Sequence, residues 1–448
     1  MILFFIHRFN DIDHLTPVIY KLAKETDKEI KILAINPFVD IENDFRLKFL
    51  ERKFGLSSNY LIDSFKPSLI YEVLAYFMAR PYVKNDINFN LRKALKDLTD
   101  FNFKSFLYSV SRLISGTLRR LISRFDLYQK LLRNFYNESY ANKLLSQYKP
   151  SLIIFDHAST STQKNGIGTT PPIKWIAGEA KKKSIPILSL PHGVPLFFNS
   201  PKVYDKRKKW IAKDLSDHIV LQHEWWHEEV INFGLERERS SVQGLPRFCD
   251  EWIRILHAIV PGYDSFEYEG SEKLRIVYMD TGPDNYSNKK NHAQELIDYL
   301  SDLDYIHLIY KPHTRSNKSH LRASHSVEIG TDINSVKLIE WSDAVIGMHS
   351  SIMIEALIQK KIYISPKYFR DFDLLYEKYK ACFIAHSLND IVGALEKMKK
   401  NKNVALYAQD DVDKFMTDVV MNRESHADVL GNYLALIEKM MNKDNIKC

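Results

Sequence analysis

Short apolar runs alternate with amphipathic stretches along most of this chain. Ile2 to Phe9 reads as a buried strand, and His14 to Glu25 as a helix with Asp11 or Asp13 as its cap. Ile30 to Ile35 reads as a second strand, closed by Asn36-Pro37. A strand–helix–strand start predicts a parallel sheet. Residues 44 to about 148 read as mostly helical. Alternation resumes with strands at Ser151–Phe155, Ile185–Leu190, Asp217–Leu221 and Val242–Pro246, and with a helix from Ile173 to Lys183. Periodicity is lost over 259–272, where Pro261, Gly262 and Gly270 mark a linker. Beyond it, strands are predicted at Leu274–Met279, Ile306–Tyr310, Ala344–Ile346, Ile362–Ser365 and Ala381–Ala385. Helices are predicted at Asn291–Leu300, Ile333–Glu340, Ser351–Gln359 and Leu388–Lys399, and the chain is helical again from about Ala405.

Two successive doubly wound patterns define an α/β fold class: two Rossmann-like domains facing a cleft, with a helical insertion in the first. The expected boundaries are 1–258 for the first domain, with the insertion at about 60–148, then 273–404 for the second and 405–448 for closing helices. In such sheets ligands sit just outside the carboxyl ends of the strands, so the residues following each strand carry the functional information. A length of 448 residues with 45% apolar and 27% charged residues fits two or three soluble globular domains, each able to bury a core.

Charge changes the picture in one place. From Lys104 to Tyr136 there are seven basic residues (Lys104, Arg112, Arg119, Arg120, Arg124, Lys130 and Arg133) against Asp126, a net of +6 in a chain whose total is +7. Apolar residues such as Phe106, Leu113, Leu121 and Phe125 lie between them. Two readings stand: a helical hairpin with a solvated basic face, or an amphipathic surface resting on the inner face of the cytoplasmic membrane. Nucleic acid is excluded as a partner because the charge is confined to this apolar-rich stretch and no recognition motif is present. The opening run Met1–Ile6 is too short for a signal peptide and lacks a basic leader, and no stretch approaches the ~20 apolar residues of a membrane span. The expectation is a cytoplasmic protein. Cys249, Cys382 and Cys448 are spaced for neither a metal site nor a disulfide framework.

The candidate chemistry lies at strand ends. Asp280-Thr281-Gly282 follows one strand as a small polar turn through which backbone amides can approach a phosphate. Lys311-Pro312-His313 places two hydrogen-bond donors after the next strand, suited to phosphate or ribose. Gly347-Met348-His349-Ser350-Ser351 turns a short strand into a helix whose first amides and two hydroxyls suit a phosphate, and Glu355 four residues on could accept both hydroxyls of a ribose. In the first half, Asp156-His157 and Pro191-His192-Gly193 end two strands. Histidine suits general-base work near neutral pH, and Asp156 on a neighbouring strand is the group to orient His192. For a retaining reaction Asp156 is instead the candidate nucleophile. His223-Glu224-Trp225-Trp226-His227 has the spelling of a zinc-protease motif, but His223 follows a strand and opens a helix, so no metal is assigned.

The elements His192-Gly193, Lys311-Pro312-His313 and Ser350-Ser351 with Glu355-Ala356-Leu357 resemble GT-B glycosyltransferases of bacterial surface-polysaccharide (capsule and lipopolysaccharide) synthesis. The groups are the Kdo transferases, the GT-B sialyltransferases and the CDP-glycerol glycerophosphotransferases. The resemblance spans about residues 150 to 365; the usual order in these families is His then Pro, whereas here Pro312 precedes His313. It implies that acceptor binds the first domain, with His157 and Gly193 on the acceptor side, and a nucleotide-sugar donor the second, that no cofactor or metal is required, and that the Pro-His and Ser-Ser elements touch the nucleotide. It points to a CMP-activated acidic sugar such as Kdo, passed to a glycan or lipid-linked acceptor. CDP-activated polyol-phosphate transfer, a nucleotide-sugar epimerase and a non-catalytic scaffold of polysaccharide assembly are the alternatives.

Overall fold

The computed structural model describes residues 1–35, 39–64, 137–156, 171–198, 215–262, 272–281, 290–313, 321–322, 327–348, 350–423 and 427–442. Most of the predicted helical insertion, the whole basic stretch 104–136, and the candidates His157 and His349 lie outside them. The chain divides into two compact units: 1–193 with 206–247 and 428–448, and 194–205 with 248–427.

The first unit opens with strand β1 (Ile2–Ile6), whose five residues are all buried. Each such apolar side chain contributes roughly 1.5–3 kcal/mol of burial free energy. Helix α1 (Phe9–Glu25) begins five residues earlier than the periodicity predicts. The reason is Asp11, whose carboxylate accepts from the backbone N–H groups of His7 and Arg8 and so starts the helix directly after the strand. Strand β2 (Ile30–Ala34) follows, then α2 (Phe45–Phe54), capped by Asp44 at its start and by Gly55 in the left-handed region at its end. Then come β3 (Ser58–Tyr60), α3 (Glu138–Tyr148), β4 (Leu152–Asp156), α4 (Pro171–Lys182) and β5 (Ile187–Leu190). The short β6 (Phe197–Phe198) belongs to the second unit, and β7 (His218–Leu221), α5 (Glu224–Asn232) and β8 (Ser240–Val242) return to the first.

The sheet of the first unit has the order β3-β2-β1-β4-β5-β7-β8, and every pairing in it is parallel. The chain runs outward from β1 to β3, then starts again at β4 on the other side of β1. The crevice between the ends of β1 and β4 is therefore the topological switch point. Beneath it, Phe5 and Phe155 stack at 4.8 Å in a core shared with Leu144, Ile153, Ile176 and Ala177.

The second unit contains α6 (Asp250–Ile259), β9 (Leu274–Met279), α7 (Lys290–Ser301), β10 (Ile306–Lys311), β11 (Glu328–Ile329), α8 (Ser335–Trp341), β12 (Ala344–Gly347), α9 (Ile352–Ile358) and β13 (Ile362–Pro366). It continues with β14 (Asp373–Leu374), α10 (Leu375–Lys378), β15 (Phe383–Ala385), α11 (Leu388–Lys400) and α12 (Gln409–Phe415). Its main sheet has the order β11-β10-β9-β12-β13-β15, with the switch point between β9 and β12; β14 pairs antiparallel with β6.

Two expected boundaries move. Helix α6, assigned from sequence to the first domain, belongs to the second unit, so the division falls at Arg247–Phe248. The closing helices do not stay together: α12 remains in the second unit, whereas α13 (Val429–Met441) returns to the first. Its buried face, with Val429, Leu430, Tyr433, Ile437 and Met440, needs an apolar partner and finds α1. Tyr433 Oη donates to the carbonyl of Gly244 at 3.0 Å. Among the described residues, no helix is long and apolar enough to cross a membrane.

Candidate functional site

The switch point of the first unit gathers an acid–base cluster. His192, two residues beyond β5, is half-buried. Its Nδ1 lies 2.8 Å from Asp11 Oδ1 and 3.0 Å from Asp156 Oδ2. Asp11 sits in the first turn of α1 and Asp156 ends β4; both carboxylates are fully buried. β4 pairs with β1 on one side and β5 on the other, which places Asp156 between the two segments that carry Asp11 and His192. The other ring nitrogen, Nε2, is 3.4 Å from Arg8 Nη1.

The electrostatics follow from this geometry. Burial by itself would push the His192 pKa down. The hydrogen bonds to Asp11 and Asp156, with their charges, outweigh burial and raise it to about 9. Asp156 is also penalised by burial, yet the His192 contact and the nearby Arg8 and His7 hold its carboxyl well below the usual range. Asp11 moves the other way: burial, then the charge of Asp156, raise it despite His192. Two more histidines flank the cluster. Burial pushes both His7 and His14 down to about 3, so each is a neutral imidazole at physiological pH.

Around this centre, Asp13 accepts from both Arg46 and Arg247, and Arg46 is also held by Asp44. The carbonyl of Gly193 accepts a hydrogen bond from the Gln222 side chain, at the end of β7. Sequence reading found His192 and Asp156. The local pattern marks Asp11 only as a helix cap and does not single out His7, Arg8 or His14. The available signal was the polar cluster His7-Arg8-Phe9-Asn10-Asp11 placed directly after the first apolar strand.

In the second unit, Asp280 follows β9, is buried, and accepts from Tyr310 Oη at 2.5 Å; the buried Thr281 is next to it. His313 is half-buried two residues after β10. Lys311 differs from its expected role as a phosphate ligand. Its Nζ donates to the carbonyls of Gly330, Thr331 and Ile333 at 2.8, 2.8 and 2.7 Å, so all three N–H groups tie down the turn after β11. Burial lowers its pKa to about 8.

Ser350 and Ser351 lie half-buried at the start of α9. The Ser350 hydroxyl accepts weakly from the Ile352 N–H at 3.4 Å, and Ser351, at the N-cap, makes no side-chain cap bond. The hydroxyls of Tyr363 and Tyr376 donate to the carbonyls of Met348 and Ser350, fixing this turn from behind. Glu355 is 1% exposed. Its Oε1 accepts from His257 Nε2 at 2.5 Å and from Gln359 Nε2 at 2.8 Å, while Oε2 has no hydrogen-bond partner among the described residues. The hydrogen bond to Glu355 raises the His257 pKa.

Metal-capable spacing occurs twice among the described residues. In one group Asp11, Asp156 and His192 have ligand atoms within 4.8 Å of one another, and in the other Glu224, His227 and Glu228 do. In the first group the hydrogen bonds to Nδ1 account for the convergence. In the second, His223 caps α5 by accepting from Trp226 N–H, as its position after a strand predicts, and His227 Nε2 pairs with Ser240 Oγ at 2.9 Å.

Two parallel-sheet α/β units of this kind define a GT-B-type fold. Solved structures match it over nearly the whole chain. S. aureus MnaA with UDP has a TM-score of 0.55 at 11% identity, covering 99% of this chain and 97% of that one. UDP-N-acetylglucosamine 2-epimerase from Rickettsia bellii has a TM-score of 0.55 at 13% identity, covering 100% and 98%. UDP-GlcNAc 2-epimerase from Neisseria meningitidis, bound to UDP-GlcNAc, has a TM-score of 0.53 at 12% identity, covering 98% and 99%. At such identities the likeness shows the fold. No protein-family model and no curated protein sequence matches this chain.

Proposed function

We propose that the protein is a nucleotide-sugar enzyme of the GT-B type, and that it transfers the sugar to a hydroxyl acceptor. The observation that carries this reading is His192, gripped at Nδ1 by Asp11 and Asp156 at the switch point of the first unit. With Nδ1–H held by the carboxylates, Nε2 is the nitrogen left to take a proton. It would accept the acceptor's hydroxyl proton as that oxygen bonds to the sugar's anomeric carbon and the nucleotide leaves. The two carboxylates stabilise the imidazolium that forms, as in a triad. A direct nucleophilic role for Asp156 is disfavoured, because it is fully buried and already hydrogen-bonded to His192.

In the second unit, the unpartnered Glu355 Oε2 is the acceptor for a ribose hydroxyl, and the Ser350–Ser351 turn, with His313, is the place for the leaving phosphate. Two of the solved neighbours named above hold UDP or UDP-GlcNAc, so uridine nucleotides come before CMP-Kdo or CDP-polyols as donors to test. The basic stretch 104–136 supports a lipid-linked acceptor of a surface polysaccharide.

A second reading, sugar epimerisation, is favoured by the full-length likeness to UDP-GlcNAc 2-epimerases. Incubation with UDP-GlcNAc, with and without an added glycan acceptor, separates the two. Turnover that requires the acceptor supports transfer; conversion of the donor alone to a second sugar supports the epimerase. With neither UDP-, CMP- nor CDP-linked substrates turned over, and no nucleotide raising the melting temperature, a scaffold role replaces both.

A further inference from the structure

The cluster around His192 contains three arginines in two different states. Arg46 is paired with Asp13 and Asp44, and Arg247 with Asp13. Arg8 has no carboxylate within ion-pair distance among the described residues. Among the described residues its guanidinium meets the ring of His192, at 3.4 Å. The carboxylates of Asp11 and Asp156 meet the opposite edge of that ring, at Nδ1. Arg8 is half-buried, so its N–H fork is partly withdrawn from water yet reachable.

A second observation lies on the same helix. His14, 1% exposed, has a buried Nδ1 with no hydrogen-bond partner among the described residues, and it stands within electrostatic reach of His192 and Arg247. Arg8 feels the charge of Asp156, but a half-buried guanidinium with no carboxylate in ion-pair contact, beside a buried imidazole nitrogen with no partner among the described residues, leaves hydrogen-bonding capacity that a ligand can complete.

We propose that Arg8 binds an oxyanion of the substrate, a phosphoryl group, and holds it beside Nε2 of His192. The planar fork of arginine matches two oxygens of a phosphoryl group at once, which a lysine cannot do. His14, within electrostatic reach of His192, supplies a second nitrogen for the same anion. The proposal rests on the reading of the first-unit cluster as the reacting centre. It adds that the molecule reacting there carries a phosphoryl group next to its reactive atom.

The test is isothermal titration of the full-length protein with inorganic phosphate and with pyrophosphate, neither of which depends on any sugar or turnover. Saturable binding is expected, weakened roughly 10- to 100-fold in Arg8→Gln, weakened also in Arg8→Lys, and reduced in His14→Gln. UDP titrated into the same proteins identifies the source of the oxyanion. UDP weakened in Arg8→Gln makes it the nucleotide's diphosphate. UDP unaffected, with phosphate still lost, makes it the acceptor's phosphate. Equal phosphate and pyrophosphate binding by wild type and both Arg8 variants, or no saturable binding to the wild type, overturns the proposal. Loss of transferase activity alone does not touch it, because the probes are simple anions. If Arg8→Gln does not fold, Arg8→Lys, which keeps the charge, decides.

Discussion

His192 Nδ1 stands 2.8 Å from Asp11 Oδ1, across 181 positions of sequence, and 3.0 Å from Asp156 Oδ2. One N–H faces two buried carboxylates. That arrangement makes His192 a strong base when it is neutral, and a proton carrier at rest.

Replacing either carboxylate should therefore return His192 toward ordinary behaviour. Asp11→Asn and Asp156→Asn are each expected to lower its pKa from about 9 toward about 6.5. A nitrogen-15 NMR titration of the ring reads this directly. A pKa that stays high in both variants would show that neither carboxylate sets it.

Turnover should depend on the same group. His192→Gln is expected to reduce nucleotide release from the donor by roughly 10²- to 10⁴-fold, the scale of one acid–base group. Because the base must shed its proton, the wild-type rate should rise with pH and level off above about 9. A rate that falls across that range would instead make His192 an acid.

Stability should vary with pH on both sides of neutrality. The His192 pKa is raised on folding, so its contribution is full below about pH 6.5 and is lost as pH rises through about 9. His7 and His14 are depressed to about 3, so the unfolded chain binds their protons first, and stability falls as pH drops below about 6.5. Melting temperatures across this range should peak near pH 6.5. His14→Gln should flatten the acid limb and His192→Gln the alkaline one; an unchanged profile in both variants would remove these groups from the account.

Lys311 and Glu355 should separate architecture from binding. Lys311→Met removes three hydrogen bonds to backbone carbonyls, two of them buried, and is expected to destabilise the second unit by about 2–5 kcal/mol, seen as a lower denaturation midpoint in urea. Glu355→Gln is expected to abolish most of the rise in melting temperature that UDP gives the wild type. A normal UDP shift in Glu355→Gln would move the ribose contact elsewhere.

Much of the fold was legible in the sequence because apolar runs bounded by glycine, proline and polar residues are local signals. β1 and β9 lie within the predicted segments, and β4 and β12 each run one residue past theirs. The strand-end rule also led to His192, Asp156, Asp280 and Glu355 as residues of interest. Their partners were less accessible. Asp11 looks like a helix cap in one dimension, and it is one, for His7 and Arg8. Lys311 looks like a ligand because it ends a strand, and only the path of the 330–333 turn shows where its protons go.

The sequence by itself determined the alternation of strands and helices, and therefore two parallel-sheet units with polar candidates at their strand ends. Hydrophobic periodicity is written residue by residue and needs no distant partner to be read. Tertiary structure alone decided the strand order β2-β1-β4-β5, which seats Asp156 between the segments bearing Asp11 and His192. It also decided the return of α13 to the first unit. Both depend on which buried faces pair across long stretches of chain, and that pairing is settled by packing, which no local pattern encodes.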